Sequence, residues 1–158
     1  MSFIALPKGN LIRLYAPDPL ATPAVTALGW RELSDHNRSE MDIGNNRFED
    51  VQRMANGTLR KFFIKDKKTF NVSWTMLPSY RSQTADGKWG AEDLREFYKS
   101  SLGQSTFKIK LNFAKAGSKQ YDTAAEEEYT VSFTSCSFVL VKRGVNAFWN
   151  VSLSMEEV

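Results

Sequence analysis

The side chains that could do chemistry in this chain are few and scattered. His36 is the only histidine. A nucleophile–histidine–acid triad or an imidazole metal site would have to use it. Its neighbours Ser34, Asp35 and Asn37 read as loop. Cys136 is the only cysteine, which excludes an internal disulfide and a cysteine-rich metal site. It stands in an apolar run, where an inert half-hydrophobic thiol is expected. The acids Glu126-Glu127-Glu128 and Glu156-Glu157 could hold a hard cation but lack the loop spacing of a calcium site. Gly87-Lys88 lacks the rest of a phosphate loop. No catalytic constellation and no cofactor site emerges, and the expectation is a protein without turnover.

Charge is unevenly spread along the 158 residues. Residues 1–59 carry 6 basic and 7 acidic side chains, residues 60–119 carry 13 and 5, and residues 120–158 carry 2 and 6, giving −1, +8 and −4 within a total of +3. A basic middle and an acidic end can steer unlike surfaces together. Lys108 and Lys110 share one strand face, and Lys65, Lys67 and Lys68 cluster. A β-barrel that binds nucleic acid through such lysines is therefore a second reading. Its weakness is that Phe107, Ile109 and Phe113 alternate with the lysines and point to the other face.

The elements that must position these groups are mostly strands. A phrase nearly repeats: Phe70-Asn71-Val72-Ser73-Trp74-Thr75-Met76 and Trp149-Asn150-Val151-Ser152-Leu153-Ser154-Met155. Each alternates large apolar residues with Asn, Ser or Thr, the pattern of a strand with one buried face and one polar, uncharged face. The two can pair or sit in facing sheets. Asn56-Gly57 predicts a hairpin turn between segments near Arg47–Met54 and Thr58–Lys65. Asp66-Lys67-Lys68 predicts a second turn. Ala91–Ser101 predicts one amphipathic helix, with Ala91, Leu94, Phe97 and Tyr98 on its stripe and Gly103 as stop. Phe107–Phe113 alternates cleanly. Ala114–Glu126 reads as a long loop. Tyr129, Val131 and Phe133 are out of phase with Phe138 and Leu140, which implies a bulge near Ser135-Cys136 or a strand buried on both sides.

The first third reads less regularly. Asn10–Tyr15 and Met41–Ile43 suggest short strands. Pro17, Pro19 and Pro23 interrupt the chain, and Ala24–Leu33 reads as loop or a turn of helix. One domain over 1–158 is expected, with 1–46 a looser segment used in subunit contacts. Met1–Pro7 lacks the basic start of a signal peptide, and no apolar run approaches the roughly 20 residues of a membrane span. The expected setting is a cytoplasm, without a membrane.

Arg53-Met54-Ala55-Asn56-Gly57-Thr58-Leu59-Arg60, then Asp66–Trp74 and Leu77-Pro78-Ser79, and finally Phe148–Val158 with its acidic end, resemble structural proteins of long-tailed bacteriophages over about residues 38–158. The nearest family is the tail tube protein with its relatives at the tube ends. The resemblance implies a mainly β fold with one flanking α-helix, an antiparallel β-sandwich or partial barrel. It implies six copies in a ring, strands from all six joined in an inner barrel, and rings stacked into a conduit for DNA. The implied partners are sister copies, genomic DNA in the lumen, and other tail proteins such as sheath, baseplate, terminator and tape measure; the implied location is the virion. A role as adaptor at a tube end is the alternative within the family. Lumens in this family tend to be acidic, so a chain of net positive charge would have to gather its acids on the inner face. On that basis Lys65, Lys67 and Lys68 are expected to meet Glu126, Glu127, Glu128, Glu156 and Glu157 between rings or subunits.

Overall fold

A computed structural model describes residues 10–112, 126–144 and 147–158, with the backbone alone for 62–64 and 126. Seven strands are present among them: β1 (Ile12–Asp18), β2 (Val25–Glu32), β3 (Asp42–Arg53), β4 (Leu59–Pro78), β5 (Phe107–Asn112), β6 (Glu126–Lys142) and β7 (Phe148–Glu157). They form one antiparallel sheet in the order β2-β1-β5-β6-β7-β4-β3, which is not closed into a barrel. One helix, α1 (Ala91–Lys99), flanks it. The mainly β fold class with a single flanking helix is the one the sequence implied.

Period-two alternation places the core. Ile12, Leu14 and Ala16 of β1, Phe70, Val72 and Trp74 of β4, Phe107, Ile109 and Leu111 of β5, Val131 of β6, and Val151, Leu153 and Met155 of β7 are all buried. The two similar segments prove to be neighbours. Phe70 stands opposite Met155, Val72 opposite Leu153 and Trp74 opposite Val151. Helix α1 lies against this face through Leu94 and Phe97, and the Phe97 ring meets Phe107 edge-on at 5.0 Å and Phe133 at 6.0 Å. Tyr98, expected on the same stripe, is 40% exposed and touches Phe133 and Phe138 from the rim.

The bulge near Ser135 is present: pairing with β7 shifts register between Phe133 and Ser135, which puts Cys136 and Phe138 back on the core side. A second bulge lies between Trp74 and Leu77 in β4. There Met76 takes a positive φ of 57° and its N–H donates to Asn150 Oδ1 at 3.1 Å. A non-glycine residue in that region is strained by about 1 kcal/mol, and the bulge returns Leu77 to the core, fully buried.

Three sequence expectations are corrected. Ala24–Leu33 is an edge strand, because β1 supplies the ladder and Trp30 stacks across it on Tyr15 at 5.0 Å. Asp66-Lys67-Lys68 is no turn: these residues sit inside the 20-residue β4, opposite Arg47, Asn46 and Asn45. Asp66 is exposed and Lys67 and Lys68 are only half-buried, so the segment has no fully dry face, which sequence cannot tell from a turn. The segment at Met41–Ile43 is the start of a 12-residue strand that runs on through Gly44. Phe113 and the expected loop over 114–125 lie outside the described residues.

Trp74 joins sheet and loops, since its Nε1–H donates to the Ser34 carbonyl at 2.7 Å from a side chain that is 1% exposed. Trp74→Phe should lower unfolding free energy by about 1–3 kcal/mol, by leaving that carbonyl unpaired. Trp74→Ala should cost about 3–5 kcal/mol through the added cavity. Urea titration of both variants checks the order.

Candidate assembly surfaces

The lengths of neighbouring strands create the most conspicuous surface. β7 pairs with β4 only from Thr69 to Pro78, so the earlier part of β4 has β3 as its sole neighbour. Beyond Thr69 the β3–β4 hairpin leaves the sheet as an arm. Nine residues of β3, Asn45–Arg53, make it about 30 Å long at ~3.3 Å per residue. Of its described side chains only Glu49 is half-buried before Lys67, and Phe48, Val51, Met54 and Leu59 are 41–54% exposed. A tight turn closes the tip. The Met54 N–H donates to the Thr58 carbonyl at 2.7 Å, the Thr58 N–H to Asn56 Oδ1 at 3.0 Å, and Gly57 has φ 87°. Two ion pairs rib the arm: Arg47 with Asp66 at 2.9 Å, and Lys61 with Glu49 at 3.0 Å. The Asn56-Gly57 turn was legible in sequence. The arm was not, although the loss of alternation on both parities from 45 to 61 is the signal that marks it.

Among the described residues the sheet also has two open edges, since β2 pairs only with β1 and β3 only with β4. Its face away from α1 carries a block of hydrogen-bonding residues, uncharged except for Asp42 at its end. Ser135, Ser154, Asn71 and Asp42 stand in one row, and Ser137, Ser152 and Ser73 in the next. Ser154 Oγ donates to Asn71 Oδ1 at 2.7 Å, and Ser39 Oγ lies 2.6 Å from Ser73 Oγ.

Some of the charged residues singled out in sequence meet within one subunit. Tyr129 is their centre: its hydroxyl donates to Glu127 Oε2 at 2.6 Å, and Lys68 Nζ lies 6.0 Å from its ring centroid. Glu157 Oε2 accepts the Lys68 backbone N–H at 3.0 Å, and Glu156 is the cross-strand partner of Thr69. Lys65 and Lys67 lie two residues apart on the root of the arm, and the lysine at 65 holds Lys67 below its usual pKa. Glu128 faces Lys110 in register and stands 3.8 Å from Lys108 Nζ. Glu126 opens β6 opposite Asn112. Burial, then the hydrogen bond to Glu127, pushes the Tyr129 phenol up to about 12.

The lysines of the nucleic-acid reading are engaged too, as Lys110 Nζ sits 4.2 Å over the Trp30 ring. His36 is structural: its Nδ1 accepts the Ala85 N–H at 3.0 Å. The Cys136 thiol is half-buried, and burial pushes its pKa to about 12. Among the described residues no three His, Cys, Asp or Glu side chains converge as a metal site would require.

A different cluster, invisible in sequence, ties α1 to the sheet. Arg81 forks onto both carboxylate oxygens of Asp18, at 2.7 and 2.5 Å, and reaches Asp93 Oδ1 at 2.7 Å. Asp93 Oδ2 accepts the Gly90 N–H at 3.0 Å and so caps the helix. The Arg81 fork holds Asp18 below the usual carboxylate range, whereas burial raises Asp93.

No protein-family model matches the chain, and no curated protein matches it in sequence. A solved structure does: a chain in the tail of an empty GTA particle, determined with helical refinement and C6 symmetry. The match has a TM-score of 0.51 at 10% identity and covers 94% of this chain and 90% of that one. The two share a fold. At this identity the likeness is one of architecture.

Tyr129 supplies a pH test. Its folded pKa exceeds the unfolded value of about 10, so the folded chain keeps a proton that the unfolded chain loses. That contribution is present below pH 10 and should fall away as pH rises toward 12. Glu127→Gln should move the Tyr129 phenolate absorbance transition to lower pH.

Proposed function

We propose that this protein is a tail structural subunit of a phage-like particle, which closes into six-membered rings that stack as a tube for DNA. The observation that carries the reading is the solvated arm joined to a sheet with two open edges. A 30 Å hairpin with apolar side chains outward on a monomer is an aggregation hazard unless sister copies cover it. Edge-to-edge joining within a closed ring removes both hazards, and head-to-tail stacking extends the ring along its axis. The shared architecture with a C6 tail chain supports the same arrangement. In it the protein acts by shape and without turnover, in the virion, alongside sister copies and other tail proteins such as sheath, baseplate, terminator or tape measure. An adaptor at one tube end differs only in stopping at a single ring.

The block of Ser and Asn, with Asp42 at its end, suits a wall past which DNA slides, because it offers phosphate no fixed cation. Lys67 and Lys68 stand where the arm leaves the sheet, with Glu156 and Glu157 at the paired end of β7, and we assign Lys65, Lys67, Lys68, Glu126, Glu127, Glu128, Glu156 and Glu157 to contacts between rings or subunits.

Negative-stain electron microscopy of the purified chain tests the reading. Rings or tubes with a central hole are expected, and a monodisperse monomer at every concentration would overturn it. The triple variant Phe48→Ser, Val51→Ser, Leu59→Ser should keep its circular dichroism and lose assembly, because these side chains make no core contact. Lys67→Glu with Lys68→Glu should leave rings that fail to stack. Normal tubes from that double variant would remove these lysines from the contact between rings.

A further inference from the structure

The arm's tip has no seat in its own chain. Every residue from Asp50 to Lys61 is exposed, so the body of the same subunit does not cover it. The tip is chemically distinctive. From Arg53 to Lys61 it carries three basic and no acidic side chains around Met54 and Leu59. Its occupancy must therefore be sought on another molecule, and its chemistry says what that surface should be: apolar, concave and acid-rimmed.

One place in the fold meets that description. Between the β1–β2 turn and α1 runs a shallow apolar groove lined by Trp89 and Phe97 and by Pro17, Pro19 and Leu20. The rings of its floor are buried, and Leu20 is 46% exposed at its lip. Glu96 lines the same groove from the exposed face of α1. The other acids near it are committed: Asp93 to Arg81, and Glu92 to Arg95 at 2.8 Å. Glu96 makes no ion pair within its own chain among the described residues. The groove is rigid, because the Asp18–Arg81–Asp93 fork clamps the strand end and the helix start that form it.

We propose that this groove is the socket for the hairpin tip of a second copy, with Met54 seated against Trp89, Phe97 and Leu20 and Arg60 paired with Glu96. The inference rests on the assembly reading and deepens it, by naming which surfaces meet. The contact is heterologous, tip to groove, so each subunit offers one of each and the pairing propagates around or between rings. A single such seat is small. Six repeats, each strengthened by the edges and faces joined beside it, act as one through effective concentration. The charge pair selects the register, and the apolar side chains supply the burial.

Full-length protein in sedimentation velocity and negative stain decides it. Glu96→Arg and Arg60→Glu each place like charges together, and each should raise the concentration needed for assembly about tenfold or more, with unchanged thermal unfolding of the monomer. Combining them should restore assembly toward the original level. In a Cys136→Ser background, Met54→Cys with Leu20→Cys should give disulfide-linked oligomers on a non-reducing gel, and neither single cysteine should. Normal rings from both charge variants, or no cross-link in assembled double-cysteine protein, would overturn the tip-and-groove contact and leave the assembly reading standing. An unmodified chain that never assembles would overturn both.

Discussion

One mismatch of length shapes the molecule: β4 has 20 residues and its inner neighbour β7 has 10. Where the two run together, Phe70, Val72 and Trp74 face Met155, Leu153 and Val151, and the centre of the core is made. Where β7 stops, the same strand continues with only β3 beside it and no second layer against either face. Core and arm are thus two halves of one continuous hydrogen-bonded ribbon. Any displacement of the arm is felt at Trp74, and any loosening of the core frees the arm's root. The Trp74 indole extends this coupling to the first third of the chain through Ser34. Ser39 does the same through the Ser73 carbonyl, which its N–H reaches at 2.8 Å.

The polar clusters serve that frame rather than chemistry. Asp86 accepts from the Asn10 and Ser34 side chains and from the backbone N–H groups of Asp35 and Lys88. Burial would raise its pKa, yet these four donors bring it below the usual carboxylate value. It pins the segment after β2 to the segment before α1. The Arg81 fork then pins α1 to the end of β1. Removing Arg81 would leave two carboxylates facing each other in a poorly solvated place, so the guanidinium matters more for what it neutralises than for the bonds it makes.

Much of this architecture could be read from the chain, and the parts that could not share a cause. The strands at Phe70–Met76, Phe107–Asn112 and Trp149–Met155 were legible because each has one dry face, and so was the helix over Ala91–Lys99, apart from Tyr98. The switch of phase at Ser135 was legible because both sides of it remain half-dry. β2 and the arm were hidden because an edge strand and a free hairpin have no dry face to write a period into the sequence. Asp66-Lys67-Lys68 looked like a turn for the same reason. Sequence could not show that Tyr129, Lys68, Glu127 and Glu157 meet within one subunit. Nor could it show that Asp18, Arg81 and Asp93 meet, for they come from three elements and have no spacing in common.

The features that hid the arm also explain how a monomer can carry it. A free two-stranded ribbon is marginal in water. This one has a tight Asn-Gly tip, two cross-strand ion pairs, and a bulge between Phe48 and Glu49 that increases its twist. Net charge on residues 45–65, five basic against two acidic side chains, sets arm against arm and opposes the flat, apolar edge pairing that leads to aggregates. Repulsion between like arms and attraction to an acid-rimmed apolar seat act in the same direction. Both disfavour arm-to-arm contact, and both leave the body of another subunit as the surface where the exposed Phe48, Val51, Met54 and Leu59 can be covered.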